Sequence, residues 1–212
     1  QGPVGAQGLI ERVTGIPSEK IRVHSTYLGG GFGRRGTLTH IVEIAEIAQA
    51  VDNPVHLLWS REDDMRHSAY RPASLMRIKA GVGQDGQITA WDAQRAGGNI
   101  TPSTLRNMVP ALLPNMPAGM ATWLADMTES LFSSWMVDHS SIEGLYEDYD
   151  FPNRAVTHYS VDHAFPLTFW RSVGHSYTAF ATESMMDELA ETAALQLMEP
   201  AGYVEAVLGE SS

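Results

Sequence analysis

The chain has 212 residues, 43% hydrophobic and 18% charged, with a formal net charge of −11 and no cysteine. This is a globular composition able to bury a core, and with no Lys/Arg run to track a phosphate backbone no nucleic-acid partner is expected. The missing cysteines exclude disulfides, zinc–thiolate sites, cysteine nucleophiles and a cysteine-ligated iron–sulfur cluster within these residues.

In chain order, the first predicted element is a helix over residues 7–16, with Leu9, Ile10, Val13 and Ile16 on one face and Gly15 and Pro17 as its stop. IRVHSTYL (21–28) reads as a strand with Ile21, Val23, Ser25 and Tyr27 on one side, and it runs into GGGFGRRG (29–36). A second helix follows, with Ile41, Ile44, Ala45, Ala48 and Val51 as its stripe and Asp52-Asn53-Pro54 as its stop. VHLLWS (55–60) reads as a short buried strand, and REDDMRH (61–67) as a charged turn or helical turn. Two alternating runs within 75–97, joined at Asp85-Gly86, predict a β-hairpin. Residues 98–150 are rich in Met, Pro and Asn, and they read as an irregular excursion with one or two short helices around 118–137. RAVTHYSVDHA (154–164) is a strand, FWRSVGHS (169–176) a loop, and 178–198 a helix with Phe180, Met185, Leu189 and Ala193 facing inward. A short helix is expected over 201–208. This order lacks regular βαβ alternation and predicts an α+β fold, with residues 1–212 forming part of one domain.

No apolar run approaches the ~18 residues of a membrane span, so none is expected in this chain. The opening QGPVGAQGLI has no initiator Met, basic start or apolar stretch, which points to a fragment and leaves the compartment, periplasmic or cytoplasmic, undetermined.

Three stretches could carry chemistry. Gly29, Gly30, Gly31 and Gly33 surround Phe32 between an extended run and a helix. Such a loop allows positive φ and lets backbone N–H groups approach an anion, although a tight turn uses glycines in the same way. It is neither a Walker loop nor a dinucleotide fingerprint, because Arg34 stands where the latter needs glycine. In FWRSVGHS, Arg171 lies among apolar and small residues, as a clamp on a carbonyl or as an anion ligand, with His175 nearby. In SREDDMRH, the acids Glu62, Asp63 and Asp64 stand beside Arg61, Arg66 and Arg71, which reads as an ion-pair cluster rather than an acid/base or metal site. The remaining histidines show no metal-ligand spacing.

YLGGGFGRR, LLWSREDDMRHSAYRPAS and FWRSVGHSYTAFATESMMDELA, in this order and spacing, resemble the molybdopterin-binding large subunits of the xanthine dehydrogenase/aldehyde oxidase family. The isoquinoline 1-oxidoreductase beta-subunit type is the nearest in character. The resemblance implies a partial molybdenum-cofactor-binding domain over residues 1–212. It implies the cofactor itself, as molybdopterin or its cytosine dinucleotide form, and iron–sulfur clusters on a small partner subunit. The implied reaction hydroxylates an aldehyde or N-heterocycle with water as the oxygen source. It places Gln1, Gly31, Phe32, Gly33, Arg171 and Ser172 at the cofactor, with Gln1, Phe32 and Arg171 near molybdenum through its oxygen ligands. Gly36 and Val173 fall at the substrate pocket; purine-oxidising members carry an acid where Arg35-Gly36 stands, which argues against a xanthine-type substrate. The family's catalytic Glu lies beyond the position of Ser212, so no catalytic residue is expected here and the chain alone is expected to be inactive. The competing readings are a non-catalytic α+β binding module without molybdenum, and a phosphate- or nucleotide-binding protein using the Gly loop alone.

Overall fold

The computed structural model describes residues 2–105, 116–146, 149–196 and 203–208. They divide into two compact units. The first comprises residues 1–71, 100–136 and 164–170; the second comprises 72–99, 137–163 and 171–212.

The first unit is built on helices. α1 (Pro3–Thr14) begins earlier than its apolar pattern suggests, because Pro3 sits in the first turn, where no amide bond is lost. It ends where expected: Gly15 turns left-handed (φ 70°) and its N–H donates to the Glu11 carbonyl at 2.8 Å. Its buried side is Gly5, Ala6, Gly8 and Leu9; of the predicted stripe only Leu9 is buried, Ile10 and Val13 are half-buried, and Ile16 stays exposed. The small residues let α1 pack against α2 (Thr39–Ala50), which buries Ala45. α3 (Arg61–His67) is one charged helix opened by a capping box, in which the Ser60 hydroxyl and the Asp63 carboxylate satisfy each other's backbone N–H. Arg61 pairs with Asp64 at 2.9 Å. A helical stretch over 100–105 and α4 (Ala118–Ser134) complete the unit. α4 is one helix of 17 residues where the sequence predicts one or two short ones.

Two predicted strands of this unit are not strands. Residues 21–28 and 55–60 carry no regular secondary structure, and among the described residues they pair with no strand. Nor is 55–60 buried: Val55, Leu57 and Trp59 are half-buried, while His56, Leu58 and Ser60 are exposed. Alternation suits a strand, but a strand also needs a partner for its main chain.

The second unit holds a four-stranded mixed sheet in the order β3-β2-β1-β4. β1 (Ser74–Val82) and β2 (Ile88–Gly97) form the predicted hairpin. At its turn Gly86 takes φ 77° and the Asp85 carboxylate accepts from the Gln87 N–H. β3 (Arg154–Ser160) pairs parallel to β2, and β4 (Tyr203–Leu208) antiparallel to β1. The sequence predicts a short helix at β4. Six residues of helix satisfy few of their own hydrogen bonds, whereas the open edge of β1 offers partners to the main-chain groups on one side of β4. α5 (His139–Ile142) is a single turn, and α6 (His175–Gln196) covers one face of the sheet.

The core of this unit joins Met76, Ile78 and Ala80 of β1, Trp91 and Ala93 of β2, and Ala181, Met185 and Leu189 of α6. Trp91 stacks on Phe151 (4.3 Å between centroids, 4° between planes) and donates from Nε1 to the Leu145 carbonyl. Met185 and Leu189 face inward as predicted and Ala193 is half-buried, but Phe180 is 68% exposed. The inward stripe is Thr178, Ala181, Thr182, Met185 and Leu189, one residue round from Phe180. Threonine hydroxyls enter it because Thr178 and Thr182 donate to the Glu143 and Gly144 carbonyls.

Candidate functional site

The glycine loop lies in the first unit. Gly30 (φ 123°), Phe32 (φ 51°) and Gly33 (φ 85°) all take positive φ, and the loop then closes into a 3-10 turn, Arg34–Gly36. The Gly36 N–H donates to the Gly33 carbonyl at 3.0 Å, and that of Arg35 to Gly31 at 3.2 Å. Phe32 is unusual because an L residue pays for the left-handed region, yet its ring is 56% exposed and contributes little burial in return. Among the described residues, the amides of Phe32 and Gly33 donate to no acceptor. Two unspent donors next to one another, in a loop held from both sides, form a concavity suited to an anionic oxygen.

The loop is held mainly by residues beside the other two stretches singled out in the sequence. Arg34 Nε donates to Ser68 Oγ at 2.6 Å, and its guanidinium lies 5.8 Å from the centre of the Trp59 ring. Trp59 Nε1 in turn donates to Glu43 at 2.9 Å. Thr37 and Thr168 share a buried hydroxyl bond at 3.0 Å. The Trp170 indole donates to the Ala69 carbonyl, and Tyr70 exchanges main-chain bonds with Pro166 and Thr168. Gly33 packs directly on this 166–170 segment: a Cβ there would meet the Phe169 carbonyl, with the Phe169 carbonyl carbon at 2.7 Å and Trp170 Cα at 3.0 Å. Glycine at 33 is therefore required by the chain's own backbone. The sequence left open whether these glycines serve a tight turn or the approach of an anion, and it gave no sign of the Arg34–Ser68 and Trp59–Glu43 contacts.

Beside the loop is a cavity of about 720 Å³ whose wall includes Phe32, Arg34, Arg35, His40 and Trp170. Partial shielding, followed by the charge of Arg34, holds the His40 imidazole below its usual range, so it stands neutral among cations at pH 7.

Arg171, Ser172 and Val173 belong to the second unit, in a turn that leads into α6. Ser172 (φ 67°) and Val173 (φ 40°) are consecutive non-glycine residues with positive φ. For a β-branched residue this is strained backbone, the kind that persists where surroundings over-determine it. The Ser176 hydroxyl donates to the Val173 carbonyl at 2.9 Å, and Gly174 lies against the Ser140 carbonyl, where a Cβ would come within 2.6 Å. Arg171 and Ser172 are exposed, and Val173 is half-buried. His175 reaches the Glu143 carboxylate at 3.5 Å. Gln1 lies outside the described residues.

Sequence reasoning missed one cluster in the second unit. Arg95, fully buried, donates to Ser74 Oγ (2.9 Å from NH2), to the Gly98 carbonyl at 3.2 Å and to His158 Nδ1 at 3.3 Å, and it lies 4.8 Å from the Tyr177 ring centre. Since Arg can only donate, His158 Nδ1 accepts and Nε2 carries the proton to Asn99 Oδ1 at 2.8 Å. Burial, then the charge of Arg95, pushes the His158 pKa down; burial also lowers that of Arg95, against Tyr177 and Asp138. Asp138 is itself buried and accepts from Ser140 and Ser141. The signal was available: Arg95 occupies an inward position in the alternation Trp91, Ala93, Arg95. Among the described residues, no three His, Asp or Glu side chains gather as a metal site, and no helix is long and apolar enough to cross a membrane.

Residues 1–110 match the family described as the molybdopterin cofactor-binding domain. The chain is 29% identical over 192 residues to isoquinoline 1-oxidoreductase subunit beta of Brevundimonas diminuta, a match covering 90% of this chain and 22% of that protein. It is 36% identical over 93 residues to the aldehyde oxidoreductase molybdenum-binding subunit of Escherichia coli K12, covering 42% of this chain and 13% of that one. Quinoline 2-oxidoreductase from Pseudomonas putida 86 shares the fold at a TM-score of 0.62 and 18% identity, over 92% of this chain and 22% of that chain. The chain thus spans about a fifth of the length of the relatives it matches most fully.

Proposed function

The chain belongs to the molybdopterin cofactor-binding domain family, within the xanthine dehydrogenase/aldehyde oxidase group, and we propose that the whole protein is a molybdenum hydroxylase of an aldehyde or N-heterocycle. The observation that carries this reading is the pair of unspent donors at Phe32 and Gly33. The fit is to an oxygen ligand that gains negative charge: fixed amides stabilise such charge without reorganising. The molybdenum cofactor, as molybdopterin or its cytosine dinucleotide form, would supply the two-electron oxidation, with water as the oxygen source. Phe32 and Gly33 donate from main chain, and Gly31 leaves the approach to them open. The family resemblance further assigns Gln1, Arg171 and Ser172 to the cofactor, and Gly36 and Val173 to the substrate, in the whole protein. Iron–sulfur clusters on a small partner subunit would supply the onward electron path, because these residues hold no cysteine to ligate a cluster themselves. The general base lies in the whole protein outside this chain, and the domain of which residues 1–212 form part is completed there.

A second reading, an α+β binding module without molybdenum, is favoured by one observation: the fold alone requires glycine at 33. Replacing the Phe32–Gly33 peptide N–H by an ester oxygen in the whole protein removes the Gly33 donor without adding a Cβ. A fall of about a hundredfold to a thousandfold in turnover per bound molybdenum is expected. Whole protein that purifies without molybdenum yet keeps its native function supports the binding module instead.

A further inference from the structure

The cavity beside the glycine loop is walled by residues of the first unit, and its charge opposes that of the chain. Acids outnumber Lys and Arg by 25 to 14 over the 212 residues, yet among the described residues this wall carries Arg34, Arg35 and Arg61 against one acid, Asp64. Asp64 already pairs with Arg61, and Arg34 is held by Ser68 and the Trp59 ring. Arg35 is exposed, and among the described residues its guanidinium meets no hydrogen-bond acceptor, carboxylate or ring. The cavity therefore keeps an excess of positive charge, which its low-dielectric walls focus inward. The rest of the wall is mainly apolar and includes Trp170 and Phe32, the latter 56% exposed. The volume of about 720 Å³ is that of a small-molecule site.

A planar guanidinium fork matches the two oxygens of a carboxylate, and aromatic side chains match a planar ring. We propose that this cavity is a carboxylate subsite, and that the substrate of the whole protein is an aromatic aldehyde or N-heterocycle bearing a carboxylate, which Arg35 holds while Phe32 and Trp170 flank the ring. Gly31 and Phe32 belong both to the cavity wall and to the glycine loop, so a molecule seated here lies beside the unspent amides of Phe32 and Gly33. The reacting end of that molecule rests on the hydroxylase reading; the carboxylate subsite is tested without it.

The test uses the whole, molybdenum-loaded protein beside Arg35→Gln and Arg35→Lys, with melting curves to verify that the exposed substitutions leave the fold intact. NMR titration compares benzoate with benzamide, which differ in charge but little in shape. Benzoate should bind at least about tenfold more tightly; Arg35→Gln should weaken it by about tenfold to a hundredfold, and Arg35→Lys should restore part of the loss. In turnover, kcat/KM for 4-formylbenzoate over 4-formylbenzamide, or for pyridine-4-carboxylate over its amide, should fall by a similar factor in Arg35→Gln, mainly through KM. Equal binding of benzoate and benzamide overturns the proposal, as does a benzoate affinity that Arg35→Gln leaves unchanged. So does benzoate that binds only after the molybdenum cofactor is stripped, because the cofactor's own phosphate then occupies these arginines. Turnover of the neutral amides without benzoate binding refutes the subsite and leaves the hydroxylase reading standing. Benzoate binding that depends on Arg35, with no turnover of either pair, supports the subsite and counts against that reading.

Discussion

Replacing Gly33 by alanine tests how the glycine loop is held. Gly33 sits at φ 85°, ψ −43°, a conformation in which an L residue is strained by about 1–3 kcal/mol. The added Cβ would also lie 2.7 Å from the carbonyl carbon of Phe169 and 3.0 Å from Trp170 Cα, inside the ~3.5 Å of an ordinary carbon contact. Both obstacles are backbone, so no rotamer change relieves them, and the segment pinned by Thr168 and Trp170 has to move. Overpacking of this kind costs about 1–3 kcal/mol more. Together these give a loss of roughly 2–6 kcal/mol, which at about 2–4 °C per kcal/mol for a chain of this size lowers the melting temperature by roughly 5–20 °C. Circular dichroism melting is the assay. A shift under about 2 °C would refute the reasoning, because it would mean that the loop does not rest on residues 169–170. The same calculation explains why a side chain at Gly33 is a poor probe of ligand binding: it damages the fold whether or not a ligand is there.

Arg95→Met should cost about 3–5 kcal/mol in chemical denaturation, because it strips Ser74, the Gly98 carbonyl and Asp138 of a buried cation; a loss below about 1 kcal/mol would mean that solvent reaches the cluster. His158 is held below its unfolded pKa. Its contribution to stability is therefore complete above about pH 6.5 and is lost as pH falls from there toward the folded pKa. Thermal melts across that window should show destabilisation on acidification that His158→Gln reduces, and an unchanged profile in the variant counts against the assignment. Val173→Gly should relieve the strain of a β-branched residue at φ 40°, worth about 1–2 kcal/mol, against about 0.4–1 kcal/mol of added unfolded-state entropy. A net loss of more than about 1 kcal/mol in urea would show that Val173 packing outweighs its backbone strain.

Local signals in the sequence determined much of this protein. The Gly15 stop, the Asp85-Gly86 turn and the long helix that becomes α6 each depend on a few neighbouring residues, and each stands in the structure, whereas of the predicted α2 stripe only Ala45 is buried and Ala48 and Val51 are exposed. The three motif blocks identified the family, because glycines at fixed spacing and an Arg in an apolar loop are written in residue order. Only the tertiary structure decided whether an alternating run becomes a strand. IRVHSTYL and VHLLWS alternate as well as β3 does, but pairing needs a second chain segment at ladder distance, and no local pattern records whether one is present. The same limit explains β4, which β1 recruits as an edge, and the inward face of α6, where Thr178 and Thr182 displace Phe180 because carbonyls at Glu143 and Gly144 wait for their hydroxyls. It also explains Gly33. The sequence demands glycine there, but only the packing of Phe169 and Trp170 against the loop shows that the chain's own backbone makes that demand.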